Sequence, residues 1–150
     1  MNISVRIKRL RPGAIVPTYA RPGDAGLDLH ACIEQRIRLF GLNASCAEAV
    51  PKLIGTGIAI ELPEGYEAQV RGRSGLSKNG LLVFPGTIDA GYRGEIKVCI
   101  QNLTQGTVTV HPGDRIAQLV IAPVARAELV EVDALSESER GEGGFGSTGR

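Results

Sequence analysis

The sequence predicts an all-β domain, a sandwich or barrel of short antiparallel strands. Apolar residues alternate in Ile3, Val5 and Ile7, in Ile58, Ile60 and Leu62, and in Ile96, Val98 and Ile100, the period of two expected of half-buried strands. Turn signals separate such runs, among them Arg21-Pro22-Gly23, Pro63-Glu64-Gly65, Asp89-Ala90-Gly91 and Pro112-Gly113-Asp114. Helical spacing is almost absent.

In chain order, the first strand falls at Ile3–Ile7 and a strand-like stretch follows at Asp24–Ala31. One short helix starts near Ser74, whose hydroxyl can cap it, and stops at Gly80 after Lys78-Asn79. Asp89-Ala90-Gly91 lies between two strand runs and reads as a β-hairpin turn. Pro112-Gly113-Asp114 is a tight turn entering a strand. A last strand is expected from Ala127 to Val132. After Asp133 the composition turns acidic and then glycine-rich, the mark of an arm that leaves the domain.

At 150 residues and 15.8 kDa the chain suits a single domain, with a β core over about 1–132 and an arm over about 133–150. A formal charge of +1 and a pI near 7.7 give no basic excess, so neither nucleic acid nor an anionic membrane is an expected partner. Cys32, Cys46 and Cys99 are odd in number and scattered, which suits reduced, buried thiols. The N-terminus has no long apolar run and no stretch of the chain reaches the length of a membrane span; a soluble, cytoplasmic protein is expected. With 43% hydrophobic residues, no tryptophan and few aromatics, the core consists of small aliphatics, and flat β faces of that kind pack well against copies of themselves. An oligomer is expected.

Five segments carry residues suited to nucleotide chemistry. In Asp24-Ala-Gly-Leu-Asp28-Leu-His-Ala31, two acids share one face of an extended stretch, either as a turn acid and an exposed strand acid or with Asp28 holding a hydrated magnesium. In Gly72-Arg73-Ser74-Gly75-Leu-Ser77, a guanidinium, a hydroxyl and free amides converge, as a phosphate cradle or as an ordinary capped helix start. In Gly86-Thr87-Ile88-Asp89-Ala-Gly-Tyr92-Arg-Gly-Glu95, Asp89 can activate water and Tyr92 can press on a sugar, or both can simply serve the turn. In Pro112-Gly-Asp-Arg-Ile-Ala-Gln118-Leu, the lone amide of Gln118 among apolar neighbours needs partners, either phosphate, metal-bound water or backbone. Finally, Arg140-Gly-Glu-Gly-Gly-Phe145-Gly146-Ser147-Thr148-Gly-Arg150 combines hydroxyls, guanidiniums, glycine amides and one flat ring, as a nucleotide lid or a solvated tail. His30 and His111 have no partners at metal spacing and read as structural or exposed.

Taken in this order, AGLDLHA, GRSGLS, GTIDAGYRGEI, PGDRIAQL and RGEGGFGSTG resemble the five motifs of the homotrimeric deoxyuridine triphosphatase (dUTP diphosphatase) family, from about Asp24 to the last residue. The resemblance implies a jelly-roll β-sandwich that forms a homotrimer, with active sites shared among subunits and closed by the C-terminal arm. It implies hydrolysis of dUTP to dUMP and pyrophosphate by attack of water on the α-phosphorus, lowering dUTP and supplying dUMP for thymidylate synthesis. The implied cofactor is Mg2+, held mainly by the triphosphate and by Asp28 through water.

By the same resemblance Asp89 orients the water and bonds the deoxyribose hydroxyl. Arg73, Ser74 and Gly75 bind phosphates with Gln118, while Arg140, Gly146, Ser147 and Thr148 take the outer phosphate as the arm closes. Tyr92 lies beneath the sugar and leaves no room for a 2′-hydroxyl, backbone around Thr87, Ile88 and Lys97 reads the uracil edge, and Phe145 stacks on the base. One departure stands out: many bacterial members carry asparagine where this chain has Val83, so Val83 is retained as a pocket position and base recognition is expected to rest on backbone. Two alternatives share parts of this reading: a related dCTP deaminase, whose members place a glutamate near the base, and a non-catalytic trimer that binds dUTP for regulation.

Overall fold

Eleven strands and one short helix build the chain in the computed structural model, which describes residues 3–45 and 47–144. The strands are β1 (Arg6–Arg9), β2 (Gly26–His30), β3 (Ile37–Leu39), β4 (Lys52–Gly55), β5 (Ile58–Glu61), β6 (Tyr66–Arg71), β7 (Leu81–Val83), β8 (Gly86–Ile88), β9 (Lys97–Asn102), β10 (Val108–Val110) and β11 (Arg115–Pro123). The helix α1 (Ser74–Lys78) lies between β6 and β7. Every strand pairing is antiparallel, in a four-stranded sheet of order β2-β11-β6-β8, a three-stranded sheet β4-β9-β7, and the pairs β1-β5 and β3-β10. These sheets close around one core as a jelly-roll sandwich.

The predicted alternation is what fills that core. Ile96, Val98 and Ile100 send their side chains inward from β9 and the residue before it, and Ile58, Ile60 and Leu62 do the same from β5 and its exit. They meet Leu29 of β2, Ala68 and Val70 of β6 and Leu119 of β11. The same alternation gives the four-stranded sheet a polar outer face. Asp28, Gln118 and Arg71 are register partners across β2, β11 and β6, and their inner-facing neighbours Leu29, Leu119 and Val70 are buried.

Four expectations need correction. The first strand is β1 at Arg6–Arg9, exposed along its length, so Ile7 does not fill the core although Val5 packs against it. Ser74 does not cap α1: Arg73 occupies the cap position in extended backbone without a side-chain bond, and Ser74 is the first helical residue. Gly80, at φ 74°, ends the helix as expected. The Asp89-Ala90-Gly91 turn does not join a hairpin, because β8 pairs with β6 while β9 pairs with β4 and β7; the turn carries the chain from one sheet to the other. The strand expected at Ala127–Val132 does not form. A strand needs a ladder partner, the last strand ends at Pro123, and the segment beyond it leaves Leu129 92% exposed and Leu135 89% exposed.

Cys32 is buried and Cys99 half-buried, both free, and Cys46 lies outside the described residues. His111 is exposed, while His30 is half-buried with its Nδ1 unpartnered among the described residues.

Candidate active site

Two cavities collect the candidate residues. The first, about 560 Å³, lies at one end of the outer face of the four-stranded sheet and gathers Asp24, Asp28, Arg73, Ser74, Gly75 and Gln118, with Arg115 at its edge. The second, about 260 Å³, lies at the β8 edge and gathers Thr87, Ile88, Asp89, Tyr92, Glu95 and Lys97. Their linings have no residue in common.

In the first cavity charge is arranged around one carboxylate. Asp28, with a side chain 14% exposed, takes Arg73 Nε on Oδ1 at 3.1 Å and Arg115 NH1 on Oδ2 at 3.2 Å. The acid therefore holds two guanidiniums in place, and each keeps further N–H donors for an anion. Asp24 is spent locally, accepting the Arg21 amide at 2.9 Å, so it is the turn acid of the two. Gln118 donates from Nε2 to the Gly72 carbonyl at 2.8 Å, which pins the loop that presents Arg73, Ser74 and Gly75. Gly26 makes room for that amide, since a Cβ at position 26 would overlap Gln118 Oε1. A Cβ at Gly75 meets nothing within 4 Å, so the cavity stays open beside Ser74 and Gly75, which line it.

Arg115 escaped the sequence reading. Its signal is the doublet Ile116-Ala117, two consecutive buried residues in a strand that otherwise alternates. A bulge between Arg115 and Ala117 lets both enter the core and returns Arg115 to register with His30, on the face of Asp28. Without that extra residue the guanidinium would point to the opposite face.

In the second cavity the turn is set by its own backbone. The Tyr92 amide donates to the Asp89 carbonyl at 3.0 Å, and Arg93 NH1 donates to the carbonyls of Ala90 at 2.6 Å and Tyr92 at 2.9 Å. Asp89 is exposed, and no hydrogen bond or ion pair among the described residues engages its carboxylate, so it is free to accept from water or a sugar hydroxyl. Tyr92 donates from its hydroxyl to the Glu95 carbonyl at 3.1 Å. Glu95, also missed from sequence, accepts the Gly57 amide at 2.8 Å and the Arg11 guanidinium.

Val83 stands apart from both cavities. It is 6% exposed, belongs to the core cluster, and its Cβ lies 3.6 Å from where a Cβ at Gly72 would be. It supports the phosphate loop from beneath and does not line the cavity beside Asp89. Arg140 is exposed and donates from Nε to the Gly143 carbonyl at 2.8 Å, closing a local turn at the start of the arm. Phe145, Gly146, Ser147 and Thr148 lie outside the described residues.

The donor set fits a metal brought in by the ligand. No cluster of three or more His, Cys, Asp or Glu residues exists among the described residues, and Asp28 already satisfies two arginines. A divalent ion held by phosphate oxygens can reach Asp28 through a water, as Mg2+ prefers with its retained hydration.

A jelly-roll sandwich with an arginine-and-amide cradle on one face and an acid-bearing turn pocket at one edge is equipped to bind a phosphorylated nucleoside and deliver water to it. The family model for dUTPase matches residues 13–149, and the chain belongs to that family. It is 51% identical over 146 residues to the deoxyuridine 5′-triphosphate nucleotidohydrolase of Hydrogenobaculum sp., covering 95% of this chain and 96% of the relative. It is 47% identical over 152 residues to the enzyme of the same name from Anaplasma marginale, covering 98% and 99%. Among solved structures, the Staphylococcus bacteriophage 80alpha dUTPase with dUPNHPP superposes with a TM-score of 0.87 at 30% identity, over 99% of this chain and 100% of the other. A mutant dUTPase from phage phi11 of S. aureus, described for its coordination of a structural Mg(II) ion, gives a TM-score of 0.77 at 26% identity, over 88% and 98%.

Proposed function

We propose that the protein hydrolyses dUTP to dUMP and pyrophosphate by direct attack of water on the α-phosphorus, in sites completed between copies of the chain in a homotrimer. The observation that carries this reading is the separation of the two cavities. The groups suited to phosphate line one, on the outer face of the four-stranded sheet, and the groups suited to sugar, base and water line the other, at its β8 edge, with no lining residue in common. A nucleotide seated in the turn pocket of one copy extends its phosphates into the cradle of the next.

In the turn pocket, backbone at Thr87, Ile88 and Lys97 reads the uracil edge and Tyr92 walls the sugar. The Asp89 carboxylate accepts a proton from the attacking water and bonds the deoxyribose hydroxyl. In the cradle, Arg73, Ser74 and Gly75 neutralise and orient the phosphates, Gln118 holds their loop, and Arg115 and Arg73 share Asp28. Direct displacement at phosphorus asks for positioning and charge neutralisation more than for a nucleophilic side chain, and this is what the cradle offers. Mg2+, carried on the triphosphate and reached by Asp28 through water, supplies further neutralisation of the phosphate oxygens. The arm, from Arg140 through Phe145, Gly146, Ser147 and Thr148, closes over the ligand and excludes bulk water. A cytoplasmic location belongs to the same reading; no helix among the described residues is long and apolar enough to cross a membrane.

The test is pyrophosphate release by the purified protein with magnesium, measured across dUTP, dCTP, dTTP and UTP beside Asp89→Asn. Release from dUTP alone, lost in the variant, supports the reading. Ammonia release from dCTP would replace it with deamination, and dUTP binding without turnover would replace it with a regulatory role.

A further inference from the structure

Tyr92 lines the turn pocket and is held by contacts that run through Glu95 to Arg11 and Gly57, outside the motif segments. Its hydroxyl rests on the Glu95 carbonyl, and its ring lies over Gly94, where any Cβ would overlap the ring and hydroxyl. The Glu95 side chain, 15% exposed, is clamped from the far side by the Gly57 amide at 2.8 Å and by Arg11. Two glycines make that clamp possible. A Cβ at Gly55 would run into both the Arg11 guanidinium and Glu95 Oε1, and Gly57 sits at φ 67° with its own carbonyl accepting the Leu10 amide at 2.8 Å. The Arg11 guanidinium, charged at any working pH, supplies the counter-charge to the Glu95 carboxylate.

We propose that Arg11 is a positioning residue for sugar selectivity, acting through Glu95 to fix Tyr92 against the turn pocket. Arg11 does not line the pocket, so its effect on substrate passes through the clamp. The discrimination at stake is one oxygen atom, the 2′-hydroxyl, and a wall that excludes it must stay in place to a fraction of an ångström. Misplacement by about 1 Å is enough to cost roughly 10²-fold in a positioned reaction. Tyr92 is exposed and its hydroxyl rests on this carbonyl, so the wall depends on how the Glu95–Ile96 peptide is held, by the Ile96 amide on Ile58 at one end and by the Glu95 clamp at the other. With Arg11 removed, the Glu95 carboxylate loses its counter-charge, and the Glu95 backbone that carries the Tyr92 acceptor keeps, among the described residues, only the Gly57 amide on its side chain and the Ile96 amide on Ile58 to hold it.

This inference rests on the reading of Tyr92 as the wall beneath the sugar. The experiment measures kcat and KM for dUTP and for UTP in the full-length protein, with thermal stability alongside, for Arg11→Leu, Arg11→Lys, Glu95→Gln and Tyr92→Ala. In Arg11→Leu the ratio of kcat/KM for dUTP over UTP is expected to fall about tenfold, mostly through a lower KM for UTP, with kcat on dUTP within about threefold of the parent. Arg11→Lys, which keeps the charge, restores most of the ratio, and Glu95→Gln lowers it as Arg11→Leu does. An unchanged ratio in Arg11→Leu and Glu95→Gln, whatever the melting temperature does, overturns the proposal if Tyr92→Ala loses selectivity. If Tyr92→Ala keeps its selectivity, the reading of Tyr92 itself fails, and the proposal with it.

Discussion

The carboxylate of Asp28 is divided between two arginines, with Arg73 Nε on one oxygen at 3.1 Å and Arg115 NH1 on the other at 3.2 Å. The acid thus orients two cations at the mouth of the proposed phosphate cradle. Asp28→Asn keeps the shape and one acceptor oxygen but releases the charge that holds both. The expected result is a rise in KM for dUTP of about tenfold with a smaller loss in kcat, because charge-assisted contacts of this kind contribute about 1.5–3 kcal/mol. Steady-state kinetics at several Mg2+ concentrations check it. A defect erased by raising Mg2+ would place Asp28 chiefly on the metal, and one insensitive to Mg2+ would place it on the arginines.

Gly26 tests how the Gln118 amide works. A methyl at position 26 collides with Gln118 Oε1 and must drive the amide off the Gly72 carbonyl. Gly26→Ala is therefore expected to lower kcat/KM by tenfold or more on the order of a lost buried hydrogen bond plus overpacking, about 1–3 kcal/mol. Gln118→Ala should reproduce the catalytic loss with less effect on the melting temperature. Equal activity in Gly26→Ala and the parent would mean that the Gly72 loop holds its place without Gln118.

Asp89 is the base in this reading, exposed and unpaired among the described residues. Asp89→Asn should bind dUTP nearly as the parent does and lose about 10²- to 10⁴-fold in turnover, the range of a positioned general base. Isothermal titration with a non-hydrolysable dUTP analogue separates binding from turnover. Unchanged turnover would remove Asp89 from the chemistry.

Much of this was written in the chain, and the omissions have physical causes. Alternation placed β5 and β9 because one face of each is buried, and Ser74 to Gly80 gave the helix because glycine tolerates the positive φ that ends it. The Asp89 turn was legible, yet the pairing of its flanking strands was not, since turn chemistry says nothing about which sheet the next strand joins. Ala127–Val132 has a strand's composition but no strand partner among the described residues, and local pattern does not reveal a missing neighbour. Arg115 hid behind a bulge, and Arg11 and Glu95 lie 84 residues apart and meet only in the fold. The five segments named the cradle and the pocket and contain Arg115 and Glu95 without marking them, while Arg11 and Gly57, which hold Glu95, lie outside the patterns.

Val83 shows where a sequence comparison and the structure part. Asparagine at this position would bring two donors and an acceptor into a site that is 6% exposed and enclosed by core residues. Val83→Asn is expected to destabilise the fold by about 1–3 kcal/mol through unsatisfied amide groups, with little change in preference among dUTP, dTTP and dCTP. A denaturant melt and a substrate panel check the two halves separately. A gain in selectivity for dUTP with unchanged stability would mean that the side chain turns away from the core and into the pocket.

The segment after Pro123 lets the proposed trimer and the arm be tested apart. It is exposed at Leu129 and Leu135 and bears Glu128, Glu131 and Asp133 between its apolar residues, a composition that gains from a neighbouring copy and packs against nothing among the described residues. Truncation after Ser138 leaves this segment and removes the glycine-rich end, so it should give a folded trimer that binds dUTP weakly and turns it over slowly. Leu129→Asp and Leu135→Asp together leave the arm and strike the exposed apolar groups, so they should shift the trimer toward monomer at micromolar concentration. Sedimentation velocity and pyrophosphate release, run on both proteins, distinguish the two functions of the C-terminal region. A truncated protein that falls to monomer would assign assembly to the glycine-rich end, and a double variant that stays trimeric would free residues 124–137 from the interface.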